Sequence, residues 1–86
     1  MKIDTYHSSK NSSYEVVVPA GTDLTTLQGK AGAAVTNLSP LTVRTKGAML
    51  GDMFKGDLLA HLESQIAAEG AGLVKVQVHF NEVVGI

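Results

Sequence analysis

The sequence predicts an α+β domain, a small and mostly antiparallel sheet of four to five strands with one long helix, about residues 52–69, packed on one face. Three observations predict it. YEVVV (14–18) and VKVQVHF (74–80) are β-branched or strictly alternating, as half-buried strands are. Phe54, Leu58, Leu59, Leu62 and Ile66 share one broad stripe when the chain is wound at about 100° per residue. Glycine-rich and polar stretches punctuate these runs as turns do. Eighty-six residues suit a single domain, residues 1–86, with a small core and a thin margin of stability.

Each element has its own local signature. Met1 to Ser8 alternates loosely and reads as a first strand, and SSKNSS then reads as a hairpin loop. Tyr14 to Val18 is the second strand, ended by Pro19, which has no N–H to give to a ladder. In PAGTDLTTLQGKAG, Thr22 is the expected N-cap of a short helical turn that carries Leu24 and Leu27 and is stopped by Gly29.

Ala33 to Leu38 has no clear period and enters the expected order, β-β-(short helix)-β-β-α-β, as its third strand. Pro40 to Lys46 alternates, with Leu41, Val43 and Thr45 on one side and Thr42, Arg44 and Lys46 on the other. GAMLGDMFKG (47–56) reads either as a docking loop of adaptable methionines or as the start of the long helix. Phe54 is in register with Leu58 and Leu62 and is expected to pack inward. The helix ends at a glycine cap in EGAG. The last strand is expected to bury Val74, Val76, Val78 and Phe80 against that helix. One long helix covers one face of a sheet, so the opposite face is expected to meet water or a partner.

Composition bounds the function. Seven basic and eight acidic residues give a net charge of −1, without the basic surplus from which nucleic-acid binders draw most of their affinity. The lack of cysteine removes thiolate chemistry, disulfides and thiolate metal sites. No run approaches the roughly 18–20 apolar residues of a membrane span, and MKIDTYHSSK carries no secretory core, so a cytoplasmic location is expected. A hydrophobic fraction of 44% is high for so short a chain and suggests that some apolar surface is covered by a partner.

The chemical motifs are sparse. His7, His61 and His79 lie on different elements at no metal-ligand spacing, and Asp57 with His61 reads as a helix-surface pair. There is no nucleophile elbow, no phosphate loop and no paired carboxylates. Neither a catalytic residue nor a metal or cofactor is assigned. The candidate binding residues are Arg44, Lys46, Lys75, Gln77 and His79, two polar rows that would merge on the open sheet face if their strands were neighbours.

A hairpin leading into VPAGTDLTTL resembles the start of the β-grasp fold of sulfur-carrier proteins over residues 2 to 28. The chain ends in Val84-Gly85-Ile86 where such carriers present Gly-Gly, so carrier activity is not expected. YEVVVPAGTDLTTL is also distantly similar to the start of LysM glycan-binding modules, with its aspartate and threonine in the opposite order.

The function expected from these features is a small non-enzymatic binding or regulatory module. It is expected to form homo-oligomers, or to meet a protein partner, through an edge strand or the uncovered sheet face. A single-stranded nucleic acid or anion binder using the basic rows is the alternative, and a ligand-pocket protein or enzyme the second.

Overall fold

The structure, a computed structural model, describes residues 1–76 and 81–86. Five strands, β1 (Lys2–Ser8), β2 (Tyr14–Pro19), β3 (Leu41–Met49), β4 (Gly72–Val76) and β5 (Asn81–Val83), form one sheet in the order β3-β1-β2-β4-β5. Every neighbouring pair is antiparallel. Among the described residues three helices accompany the sheet, α1 (Gly29–Leu38), α2 (Leu50–Met53) and α3 (Gly56–Glu69), with a 3₁₀ turn at Leu24–Thr26. The α+β class and the antiparallel sheet agree with the sequence.

The central strand β2 explains why there are two cores. Its valines alternate in direction, and Val16, Val17 and Val18 are all buried. Val17 joins Ile3, Val74, Leu50, Phe54, Leu62 and Ile66 beneath α2 and α3. Val16 and Val18 point the other way, to Leu73 and to Ala31 of α1. The second sheet face is therefore partly covered by α1, which corrects the expectation of an uncovered face.

The reason lies in residues 29–38, expected in part as a strand. Ala31, Val35 and Leu38 fall at helical spacing, so even a glycine-bearing segment has an apolar stripe to lay on the sheet. Gly29 opens this helix rather than stopping the one before it. The preceding 3₁₀ turn is capped by Asp23, not Thr22. The Asp23 carboxylate accepts from the Thr25 N–H at 3.0 Å, while the Thr22 hydroxyl donates to the Pro19 carbonyl at 2.7 Å.

The long helix begins at Gly56, matching the later of the two starts, near Asp52 or near Asp57, that the sequence allows. Phe54 (φ −129°, ψ 144°) and Lys55 (φ −132°, ψ 160°) are extended, which separates the single turn α2 from α3. Phe54 still packs inward, as expected, together with Leu50. Gly70 caps α3 at φ 81°.

Two further expectations change. In β3 the register to β1 shifts between Thr5 and Tyr6, so Val43 pairs with Tyr6 and Thr45 with Thr5. Adjacent residues of β1 face opposite ways, and Thr45 therefore leaves the face that Val43 shares with Leu41. The final strand is a hairpin, with Val76 paired to Asn81. Val74 is core, but Val76 is 38% exposed. Val78 and Phe80 lie outside the described residues.

Strand β4 lies close under α3. A Cβ added at Gly72 would collide with Leu62 Cδ1, so glycine there sets the distance between helix and sheet. Leu62→Ala should cost about 2–5 kcal/mol, read from urea unfolding, because Leu62 is fully buried at the centre of the α3 core. Gly72→Ala alone should cost about 1–3 kcal/mol through overpacking. In the Leu62→Ala background much of that second cost should vanish, because the two sites compete for one volume.

Candidate functional site

The two basic rows do not merge. Strands β1 and β2 lie between β3, which carries Arg44 and Lys46, and β4, which carries Lys75. Both β3 cations are engaged by acids. Arg44 Nε lies 3.4 Å from Glu15 Oε1, and Lys46 Nζ lies 3.4 Å from Asp4 Oδ2. Glu15 belongs to the Val17 face of the sheet, whereas Asp4 pairs with Val18 and belongs to the α1 face. Arg44 thus reaches across β1 to β2 on one side of the sheet, while Lys46 meets β1 itself on the other. Lys75 is half-buried on the α1 side, between Tyr14 of β2 and Glu82 of β5. Gln77 and His79 lie outside the described residues.

Asp4 is the most constrained charge in the molecule's described part. It is buried, and its two oxygens accept the Gly21 N–H at 3.0 Å and the Gly47 N–H at 2.8 Å. Both glycines have positive φ, 85° and 66°, which turns their amides toward the carboxylate. The bond from Gly21, then that from Gly47, and lastly the Lys46 ammonium hold the Asp4 carboxyl below its ordinary value, against the opposing effect of burial. The sequence pattern gives no sign of this role, since loose alternation places Asp4 with Lys2 on the side of the strand opposite Ile3.

Thr5, His7 and Glu15 share the Val17 face, with His7 directly opposite Glu15. A hydroxyl, an imidazole and a carboxylate side by side have the composition of a nucleophile, base and acid. Their geometry does not follow. Thr5 is wholly buried, Thr5 Oγ1 and His7 Nδ1 have no hydrogen-bond partner among the described residues, and Glu15 Oε1 has its ion pair with Arg44 in place of a hydrogen bond. Nucleophilic catalysis needs the first two within hydrogen-bonding reach and open to substrate. Asp57 and His61 are both exposed on α3. Among the described residues no three His, Asp or Glu side chains gather as metal ligands would.

The most distinctive surface is at the β3 edge. β3 is nine residues long and pairs on one side with β1, and among the described residues the opposite border strand is β5. Four of the five large hydrophobic side chains most exposed among the described residues lie on β3 or at its end. They are Met1 (55% exposed), Val43 (49%), Met49 (43%) and Met53 (39%). Lys2 pairs with Met49, and the Leu50 N–H donates to the Met1 carbonyl at 2.9 Å, so β1, β3 and α2 bring all three methionines to one end of the sheet. The sequence singled out 47–56 as a docking segment or a helix start. The segment divides between the two: Leu50 and Phe54 turn inward, Met49 and Met53 outward.

Gln65 was also missed. From α3 its side chain accepts the Leu73 N–H at 2.8 Å and donates to the Val84 carbonyl at 2.6 Å, fixing β4 and the last residues together. Its sequence position on the flank of the apolar stripe carries no mark of that bridge.

No described helix is long and apolar enough to cross a membrane. Comparison with known protein families, with curated proteins and with solved structures gives no match.

The depressed Asp4 value has a definite pH consequence. A group whose value falls on folding contributes stability that is present above its unfolded value, near 3.8, and is lost as pH drops through the lower folded one. Wild type should therefore exceed Asp4→Asn in stability at pH 6. The gap between their urea midpoints should close as pH is lowered below about 4, with unfolding curves at each pH as the measure.

Proposed function

We propose that the protein is a non-enzymatic binding module that acts in the cytoplasm and self-associates through the β3 edge. The observation that carries this reading is the edge strand β3, which exposes Val43 near its start and Met49 at its end, with Met1 and Met53 exposed beside Met49. An edge strand presents a row of backbone donors and acceptors that another extended chain satisfies, and a second copy of β3 offers the same row in a closed two-fold arrangement. Flexible methionines at the end of that strand supply apolar contact that adapts to its partner.

Charge is compatible with such pairing. Arg44 and Lys46 have counter-ions within their own chain, which mutes repulsion between two copies of the strand. The same ion pairs lend less support to an anion or nucleic-acid surface, because an incoming phosphate would have to displace Glu15 and Asp4.

The test is mass in solution. Sedimentation at low micromolar concentration should give twice the chain mass of 9.0 kDa. The double variant Val43→Lys/Met49→Lys should sediment as a monomer with unchanged circular dichroism. Val76→Lys, exposed on β4 and away from β3, should remain dimeric. A 9.0 kDa species at every concentration up to the millimolar range would sink the proposal.

A further inference from the structure

The chain has three methionines and no cysteine, so all of its oxidisable sulfur is in the thioethers of Met1, Met49 and Met53. All three side chains are exposed, and all three lie at the end of the sheet where β3 meets α2. None of them joins either core. A sulfur-directed oxidant therefore meets the surface assigned above to self-association and leaves the packing of the fold untouched. A methionine in a core would instead couple oxidation to unfolding.

The reaction is an oxygen transfer. Thioether sulfur attacks one oxygen of hydrogen peroxide, an S–O bond forms and the O–O bond breaks. The departing hydroxide takes the proton from the transferred oxygen and leaves as water. Sulfur is oxidised and peroxide reduced. The product, methionine sulfoxide, is polar and chiral on a side chain that was apolar. A contact that closes over it must bury a strong acceptor oxygen without a donor, and that penalty falls on association alone. Met49 ends β3 and Met53 ends α2, so these two follow directly on the pairing strand, whereas Met1 precedes β1.

We propose that Met49 and Met53 form a redox modification site, at which peroxide-class oxidants make sulfoxide and release the dimer as folded monomer. This rests on the β3 edge being the self-association surface. The dimer covers both thioethers, so the oxidant acts on monomer in exchange with it, and the sulfoxide then holds the chain in that state. Methionine sulfoxide reductases reverse the step.

Hydrogen peroxide is the probe, applied to the whole chain, with peptide mass spectrometry to locate sulfoxide and sedimentation to weigh the product. Oxidation should raise the dimer dissociation constant about tenfold or more, roughly 1.4 kcal/mol, at an unchanged urea midpoint. Sulfoxide reductases with dithiothreitol should restore the dimer. Met49→Leu/Met53→Leu keeps apolar side chains of similar volume, and should remain dimeric through the same treatment. Met49→Gln should weaken the dimer with no oxidant present. Met49 should also oxidise more slowly as protein concentration rises and dimer forms.

An unchanged dissociation constant in protein with sulfoxide at both positions would overturn the proposal and leave the β3 reading standing. A fall in the urea midpoint on oxidation would do the same, since dissociation would then follow unfolding. So would a Met49→Leu/Met53→Leu dimer that dissociates in peroxide as readily as wild type. Failure of the β3 reading shows before any oxidant is added, as a 9.0 kDa species at every concentration, and ends both.

Discussion

The arrangement of the sheet depends on one buried carboxylate. Asp4 sits on β1 beside Val18 of β2 and holds the amides of Gly21 and Gly47, one beyond the end of β2 and the other within β3. Three strands are thereby tied at a single point. The tie matters because β2 is a poor guide to its own register. A strand with one apolar face penalises a slip of one residue, since every side chain would change sides. With valine at 16, 17 and 18, β2 presents the same side chain to both faces, and such a slip loses little burial. The carboxylate restores the penalty. A slip of β2 by one residue would draw the Gly21 amide away and leave an oxygen of the buried Asp4 carboxylate without that partner.

The two cores built on β2 differ in character. The α3 side is lined by large side chains, Leu50, Phe54, Leu62, Ile66 and Val74, all buried. On the α1 side the buried members include Ala31 and Ala71, and larger residues such as Leu24, Leu27, Val35 and Leu38 are only half-covered. A short helix made largely of alanine and glycine covers the sheet without filling the space beside it. A groove of about 380 Å³ next to α1 and the looser α1 core have one cause, which is the small size of the residues in GKAGAAVTNL.

Much of the fold was legible in the sequence because its signals are local. The hairpin from Lys2 to Pro19, the apolar stripe from Leu58 to Ile66 and the cap at Gly70 each rest on residues a few positions apart. What was not legible depends on distant partners. The bulge in β3 separates Val43 from Thr45 through pairing to β1, which no alternation within PLTVRTK records. Val76 fits the strand pattern as well as Val74 does, yet Val74 is fully buried and Val76 is not, a difference the alternation does not record. The candidate site suffered most. Arg44 and Lys46 read as free cations because Glu15 and Asp4 lie 29 and 42 positions away in the chain. The methionine cluster was half legible: Met49 and Met53 were singled out, while Met1 joins them only through the pairing of β1 with β3.

The run of three valines that serves both cores has another life before the chain folds. YEVVVP is short, β-prone and apolar, the kind of segment from which cross-β stacks grow. In the native sheet it is the middle strand, flanked on both sides and sealed from other molecules. In the newly made chain its protection is chemical: a charge at Glu15 and a proline at Pro19 bracket the valines and discourage stacking from either end. Glu15 therefore guards the unfolded chain as well as pairing with Arg44 in the folded one. Exchanging it for an apolar residue to tidy a buried carboxylate would trade an electrostatic cost in the native state for a longer adhesive segment on the ribosome.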